Sequence, residues 1–199
     1  MYGMYDKYDR IINPKEHPEL EYGIISGGPE TVFIKLPRGA SINGYGEKYL
    51  GLARNLNYYR YATVVCANNV SDELSAEYDV KVVKNYIEDH ALGEGAICSF
   101  IGIGEGAESG LAYLRHRLDF RKMLMINMPI SYELGKTVEL LDGVDRNKLT
   151  FVYGDEDSSY RFTPLLKRLY ATVITVKGAD HSFTGMRGTF VDLYKMLYK

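Results

Sequence analysis

Apolar positions along the chain follow two alternating patterns. Short runs rich in β-branched and other apolar residues are typical of strands that are buried on both faces, and the segments between them repeat apolar residues every three or four positions, which predicts helices. The predicted strands are residues 21–26, 31–36, 62–67, 96–103, 122–127, 148–153 and 171–176, and the predicted helices are residues 49–56, 74–87, 111–118, 134–141, 163–169 and 190–197. This alternation predicts an α/β protein with a mainly parallel, doubly wound sheet and helices on both faces.

The N-terminal part of the chain departs from that alternation. Residues 1–20 carry Pro14 and Pro18 among several charges, so we expect an irregular arm. The predicted strands 21–26 and 31–36 are separated by two consecutive glycines, which is a common hairpin connection. We therefore expect these two strands to pair as an antiparallel hairpin at the edge of the sheet.

Length and charge narrow the classes of partner. A chain of 199 residues, 46% of them hydrophobic, suits a single domain over residues 1–199. Its 24 basic and 26 acidic residues nearly cancel, so neither nucleic acid nor an anionic membrane surface is indicated, and we expect a small-molecule partner. The sequence leaves the oligomeric state open.

Other features bear on location and cofactors. No run approaches the ~20 apolar residues of a membrane span, and the first residues lack the basic and apolar regions of a signal peptide. Cys66 and Cys98 lie in apolar runs, where buried, reduced thiols are usual. We expect a cytoplasmic protein with no cofactor and no metal.

The end of the fourth predicted strand is the most informative stretch. Gly102, Gly104 and Gly106 stand at alternate positions between the apolar run 96–103 and a segment with helical spacing. This pattern predicts a strand, a sharp turn and a helix. Ligands of parallel sheets bind beyond the carboxyl ends of the strands. The loops expected there are residues 38–43, 102–106, 154–158 and 178–182.

The order and content of these loops resemble the α/β-hydrolase fold family over residues 20–199. The resemblance is carried by the run 32–39 that leads into a helix, by the glycine-flanked turn 102–106, and by two late loops with the sequences Gly-Asp-Glu-Asp and Gly-Ala-Asp-His-Ser. It implies a three-layer sandwich without a cap domain and, in chain order, a nucleophile, an acid and a histidine.

The resemblance assigns roles to particular residues. Asp157 and His181 stand at the positions of the acid and the base, with Asp155 as a competing acid. These residue types suit the roles, because a carboxylate on one imidazole nitrogen fixes the tautomer and stabilises the imidazolium. The position of the nucleophile, usually serine, is occupied by Gly104, which has no side chain with which to attack.

Further roles follow from the same resemblance. It implies an oxyanion site made by the backbone amide of Glu105 together with the amide of Ala40 or Ser41, and it leaves the Glu105 side chain pointing elsewhere. Arg38 stands where many family members have histidine. Ser41, Ser182 or a water molecule could replace the missing nucleophile.

Three functions remain open from the sequence. The first is a hydrolase of a small ester, thioester or amide, whose activity is put in question by Gly104. The second is a non-catalytic protein that keeps the pocket and binds a small molecule or a protein. The third is a dinucleotide-binding protein, because Gly102, Gly104 and Ala107 also satisfy that fingerprint, although it normally follows the first strand of a domain.

Overall fold

Eight strands in one sheet form the centre of the fold. The computed structural model describes residues 7–44, 46–70, 72–90, 97–130, 134–169 and 172–199. The strands within these residues are β1 (Arg10–Ile12), β2 (Tyr22–Ile25), β3 (Gly28–Arg38), β4 (Ala62–Asn69), β5 (Ile97–Ile103), β6 (Phe120–Ile126), β7 (Leu149–Gly154) and β8 (Thr172–Val176). Their order is β1-β2-β4-β3-β5-β6-β7-β8, and every pairing from β4 to β8 is parallel. The mainly parallel sheet is confirmed; Ala96 and Ala171, where two strands were expected to begin, lie outside the described residues.

Helices cover both faces of this sheet. One face carries α1 (Lys48–Arg60) and α6 (Arg187–Val191), and the other carries α2 (Asp72–His90), α3 (Glu105–Ser109), α4 (Leu134–Leu141) and α5 (Thr163–Leu169). Successive strand residues point to opposite faces, so in β5 Phe100 packs under α2 and α3 while Ile101 packs under α1. The doubly wound arrangement predicted from the apolar pattern is therefore confirmed.

An N-terminal antiparallel hairpin is present, but different strands form it. β2 pairs antiparallel with β1 and β4, whereas β3 lies between β4 and β5 and is parallel to both. A Cβ on Gly27 would lie 2.3 Å from the carbonyl oxygen of Ala62, and the Gly28 amide donates to the Tyr61 carbonyl at 2.5 Å. The two glycines thus permit close approach to the start of β4 instead of forming a hairpin turn, and the edge strand β1 comes from the stretch expected to be irregular.

Two predicted helices differ in form from the expectation. The segment after α3 continues as a π-helical turn, Gly110–Leu114, in which the Arg115 amide donates to the Gly110 carbonyl at 3.0 Å. A Cβ on Gly110 would lie 2.3 Å from the ring of Phe100, so this turn packs directly on β5. The closing helix is divided into α6 and a 3-10 helix, Leu193–Tyr198. Further 3-10 turns are Arg146–Lys148 and Ser158–Phe162.

A charged pair is buried between β3 and α2. Lys35 Nζ lies 2.7 Å from Oδ2 of Asp79, and both side chains are 1% exposed. The Tyr22 hydroxyl donates to the other carboxylate oxygen at 3.0 Å. Burial raises the pKa of Asp79, and the Lys35 ammonium opposes that shift. Removing one member of such a pair typically destabilises a protein by about 3–5 kcal/mol, so this pair fixes α2 on the sheet.

The carboxyl ends of β3 and β5 form a topological switch point. From β3 the chain passes through α1 to β4, and from β5 it passes through α3 to β6 on the opposite side. Because α1 and α3 lie on opposite faces, a crevice remains between the two connections, where ligands of open α/β sheets bind. Arg38 ends β3 and Ile103 ends β5, so the loops that follow them open into this crevice.

Candidate active site

An acid and a base from two loops meet near this crevice. His181, in the loop after β8, contacts Oδ2 of Asp157, in the loop after β7, through Nδ1 at 2.5 Å. The Asp157 side chain is fully buried, whereas the His181 ring is 48% exposed. The structure brings together the two residues that the sequence singled out, with the carboxylate behind the ring and the ring open to solvent.

The two acids in the loop after β7 have different partners. Asp157 also caps the 3-10 helix that follows it, because its Oδ1 accepts from the Ser159 amide at 2.6 Å. Asp155 accepts from the Gly178 amide at 2.6 Å and so ties the two late loops together. The carboxylate that contacts His181 is therefore that of Asp157, and its capping bond holds it in place.

The surroundings of His181 favour its protonated form. The hydrogen bond to Asp157 is the largest cause raising the pKa of His181 above its ordinary value of 6.5, partial burial opposes this, and the carboxylates of Glu105 and Asp180 add smaller upward contributions. Because Asp157 holds the proton on Nδ1, the lone pair of the neutral ring is on Nε2. Such a ring acts as a base above its raised pKa and as an acid below it.

Gly104 forms a sharp elbow between β5 and α3. Its φ of 55° and ψ of −129° place it in a region that favours glycine. The elbow is tied to β6 through the Gly104 amide, which donates to the Ile126 carbonyl at 2.9 Å. A Cβ on Gly102 would lie 2.3 Å from the Cα of Ala107, and one on Gly106 would lie 2.3 Å from a carbonyl oxygen of β3. The flanking glycines are therefore required for packing α3 on the sheet.

The missing side chain at the elbow leaves space beside the base. A Cβ on Gly104 would lie 3.6 Å from Nε2 of His181 and 3.3 Å from the ring of Pro37. A hydroxyl carried by that Cβ would come within hydrogen-bonding reach of the imidazole. The elbow backbone is thus directed at His181, and the atom that would attack is absent from position 104.

The side chain of Glu105 lies in the site, contrary to expectation. Its Oε2 accepts from the Arg38 amide at 3.4 Å, and both residues line the same cavity as His181. An acid in the first turn of a helix is favoured by the helix dipole, and the end of β3 offers it a backbone donor. Sequence spacing places the residue but does not show where this side chain points.

Of the remaining residues expected to donate or attack, Ser182 lines the cavity and Ala40 and Ser41 do not. The Ala40 amide donates to the Pro37 carbonyl of β3 at 3.1 Å, so this amide is engaged in a turn. The Ser41 hydroxyl donates to a carboxylate just before β2 at 3.4 Å, and Ser41 is not among the described residues lining the cavity. Ser182 does line it, directly after the base. The Arg38 amide, at the end of β3, donates to the Glu105 side chain, and both residues line the cavity.

Asn127 holds the acid and base loops together and was missed by the sequence reasoning. This residue follows β6, is 1% exposed, and has a φ of 46°. Its Nδ2 donates to the carbonyls of Asp180 (3.1 Å) and His181 (2.8 Å), and its Oδ1 accepts from the Gly154 amide at 3.0 Å. The signal available in the sequence was an asparagine at a strand end, since asparagine tolerates positive φ better than most residues.

His181, Glu105 and Ser182 line one cavity of about 190 Å³. It is lined by Pro37, Arg38, Lys48, Tyr49, Ile103, Glu105, His181, Ser182 and Phe190. Lys48, at the start of α1, was also missed, because a lysine within a helical pattern is usually solvent-exposed. Its Nζ donates to the Ser182 carbonyl at 2.6 Å. Partial burial lowers the pKa of Lys48, and Asp180 opposes that shift.

The described part of the chain offers neither a metal site nor a membrane span. It contains no group of three or more His, Cys, Asp or Glu side chains placed to hold a metal ion, and none of its helices is long and apolar enough to cross a membrane. Cys66 and Cys98 are buried and unbridged, as expected. Burial raises the pKa of each thiol to about 12, which makes both inert as nucleophiles.

Comparison with known proteins gives a match in structure only. No family model matches the sequence, and no curated protein matches it. An α/β serine hydrolase homologue from Coxiella burnetii has a TM-score of 0.70 at 19% identity, over 95% of this chain and 97% of that one. An α/β serine hydrolase without a lid from Xanthomonas campestris has a TM-score of 0.65 at 16% identity, over 96% and 94%. The chain has the α/β-hydrolase fold.

An esterase domain from Rhodothermus marinus shows the same fold at lower similarity, with a TM-score of 0.60 at 11% identity over 94% of each chain. In this chain the elbow, the acid and the histidine follow β5, β7 and β8 of the α/β-hydrolase fold. One fold hosts many activities, so the chemistry depends on the residues of the site.

Proposed function

We propose that the protein is a hydrolase of a small ester, thioester or amide in which His181 activates a water molecule. The observation that carries the proposal is the position of His181: Nδ1 is held by Asp157, and Nε2 faces the space left by the missing side chain of Gly104. A water molecule in that space would stand where a serine oxygen otherwise would. The base and its orienting acid would then act on water directly.

The reaction begins with attack on the carbonyl carbon of the substrate. The water oxygen forms a bond to that carbon while Nε2 of His181 takes the water proton, and the carbonyl electron pair moves onto the carbonyl oxygen. The Asp157 carboxylate stabilises the imidazolium that forms. The Glu105 amide, the first of α3, has no acceptor within its helix and is the donor for the negative oxygen.

The second step breaks the bond to the leaving group. The electron pair of the oxyanion re-forms the carbonyl, and the alkoxide, thiolate or amine departs with the proton held by His181. The products are a carboxylic acid and an alcohol, thiol or amine, and the imidazole is neutral again. No covalent intermediate with the protein forms at any stage.

Assays with p-nitrophenyl acetate, p-nitrophenyl butyrate and short acyl thioesters test this function. His181→Ala should reduce turnover by about 10²–10⁴-fold, because that is the usual contribution of a general base. His116→Ala is the matched control, since His116 is an exposed histidine that does not line the cavity. Equal turnover in the wild type and His181→Ala would reject the proposal.

The same assays separate water from a displaced serine. If water attacks, Ser182→Ala keeps its turnover, and mass spectrometry of the wild type during turnover finds no acyl adduct. Loss of activity in Ser182→Ala together with an adduct on the wild type would assign the attack to Ser182. These measurements identify the attacking group, and the His181→Ala assay tests the base separately.

A non-catalytic binding function is the second candidate, favoured by the position of Glu105. Its carboxylate accepts from the Arg38 amide, one of the backbone donors that would meet a substrate oxygen. A negative charge there opposes an oxyanion. No turnover in the wild type, with turnover appearing in Gly104→Ser, would support this candidate, because it would show an acid–base frame that lacks only its nucleophile.

Dinucleotide binding has less support. Of the residues that suggested it, Gly102 is required by the packing of α3 on the sheet, since a Cβ there would lie 2.3 Å from the Cα of Ala107. A fluorescence titration with NAD tests it, and the absence of binding at millimolar NAD would exclude it.

A further inference from the structure

A second cavity adjoins the one at His181. The two cavities share Lys48 and Ser182, and the second has a volume of about 360 Å³. It is lined by Lys48, Ser182, Phe183, Thr184, Gly185 and Arg187. Two cations and two hydroxyl residues line it, and none of its described lining residues is acidic. This combination is suited to a carboxylate or phosphate group.

Lys48 stands at the junction of the two cavities. The residue is only 7% exposed, and its ammonium lies 4.9 Å from the ring centroid of Phe190 and 5.1 Å from that of Tyr49. Its bond to the Ser182 carbonyl fixes the head of the side chain beside the base. Because water is partly excluded there, this ammonium attracts an anion more strongly than a solvated lysine would.

The nearby carboxylates accept hydrogen bonds or pair elsewhere, and the charge of Asp180 also acts on the Lys48 ammonium. Asp180 accepts from the amides of Ser182 (3.0 Å) and Thr184 (2.8 Å) and thereby closes its own loop. Glu47 lies 4.0 Å from Arg187, and both side chains are more than half exposed. Exposed pairs of this kind are weak, so Arg187 can turn toward an anion in the cavity.

We propose that the second cavity binds a carboxylate at the end of the substrate's acyl chain, with Lys48 as the specificity-determining residue. The inference rests on the proposed function, because it places the carbonyl of the same molecule at His181. Phe190 and Tyr49 border the first cavity and Phe183 the second, so apolar surface is available for the methylene groups between the two ends. The preferred substrates are then short acyl derivatives that carry a second, free carboxylate.

A matched pair of amides tests this by binding, without requiring turnover. Glutaramate and pentanamide have the same chain and differ only in the terminal carboxylate. NMR titration of the wild type should show tighter binding of glutaramate, with shifts in residues 182–187. In Lys48→Met the affinity for glutaramate should fall by about tenfold or more, as for loss of a charge-assisted hydrogen bond, and pentanamide should bind as before.

Further variants show whether charge or structure is responsible. Lys48→Arg should retain the preference for glutaramate, and Lys195→Met, which removes an exposed lysine that lines neither cavity, should leave both affinities unchanged. Equal weakening of both ligands in Lys48→Met would overturn the inference, since it would show that Lys48 only holds the loop at Ser182. Inorganic phosphate binding to the wild type as tightly as glutaramate would also overturn it, because the site would then recognise a free anion.

The outcome can be separated from that of the proposed function. Lys48-dependent binding of glutaramate without hydrolysis of any ester, thioester or amide supports the second cavity and rejects the hydrolase. Hydrolysis that depends on His181 but shows no preference for carboxylate-bearing substrates supports the hydrolase and rejects the second cavity as a carboxylate site.

Discussion

The elbow and the two late loops, after β7 and β8, carry different parts of the arrangement on which the proposed hydrolysis depends. At the elbow the backbone conformation is present without a reactive side chain: Gly104 has the sharp turn, directed at the base. In the loops after β7 and β8 the reactive side chains are present and in contact, as Asp157 and His181. The comparison shows that backbone geometry and side-chain chemistry are separable, so neither one alone establishes an activity.

The two regions are also held in place by different forces. The elbow depends on close packing, because its flanking glycines let α3 approach the sheet. The loops depend on polar contacts, above all those of Asn127. Substitutions can therefore disturb one region and leave the other intact. Four predictions test whether the two regions are separable.

The largest effect is expected at Asn127. Asn127→Ala removes three hydrogen bonds in a buried position and places alanine at a φ of 46°, which should lower the free energy of unfolding by about 3 kcal/mol. Urea denaturation measures it. Asn127→Gly tolerates the positive φ but also lacks the amide, so it should recover only part of the loss. Wild-type stability in Asn127→Gly would show that the hydrogen bonds do not hold the loops.

A smaller effect is expected at the elbow. Gly104→Ser introduces a side chain at a φ of 55°, with its Cβ 3.3 Å from Pro37, and should lower the free energy of unfolding by about 1–2 kcal/mol. Gly104→Ala should do the same, because the strain arises at Cβ. Mass spectrometry would detect an acyl adduct if Ser at this position reacts with p-nitrophenyl acetate. Such an adduct would show that the elbow places the side chain of residue 104 where His181 can take its proton. A loss above about 4 kcal/mol would mean that the elbow cannot accept a side chain.

The next effect concerns pH. Because the pKa of His181 is raised in the folded protein, its pairing with Asp157 stabilises the fold fully below the unfolded-state pKa of about 6.5 and ceases to do so as the pH rises through the folded-state value. Asp157→Asn can still cap Ser159 but should lower the pKa of His181, measured by NMR titration of the ring. The stability difference from wild type should be largest near pH 6, about 1 kcal/mol or less because the ring is half exposed.

Two observations would contradict this pH assignment. Asp155→Asn is the control, and it should leave the titration of His181 unchanged because Asp155 contacts the Gly178 amide. If both variants shifted the pKa of His181 equally, the effect would come from general charge in the loop. If wild-type hydrolysis were greatest below the pKa of His181, the neutral ring would not be the base.

The smallest effect is expected at Glu105, an elbow residue whose charge acts on His181. Glu105→Gln removes a carboxylate that lines the cavity with His181, and it should lower the pKa of His181 by less than Asp157→Asn does, because Glu105 is a lesser contributor. Ring titration by NMR measures it, with Glu108→Gln as the control one turn further along the chain. A larger shift in Glu105→Gln than in Asp157→Asn would make the elbow acid the main partner of the base.

The succession of elements and the acid–base pair were open to prediction, and the strand pairing was not. Apolar periodicity reports which residues are buried, so it located β4 to β8 closely. It does not report which strand lies beside which. For that reason the glycines at 27 and 28 suggested a hairpin turn, although in the structure they let the chain pass close to Ala62.

The sequence by itself determined a parallel α/β sheet, a glycine elbow after β5, and the chain order of elbow, acid and histidine. These features depend on local apolar and glycine patterns and on the order of those patterns along the chain. Only the tertiary structure decided that Glu105 turns into the site, that Asn127 ties the loops, and that Lys48 stands beside the base. Such contacts join distant parts of the chain, as Lys48 and Ser182 do across 134 positions, and local sequence does not specify distant partners.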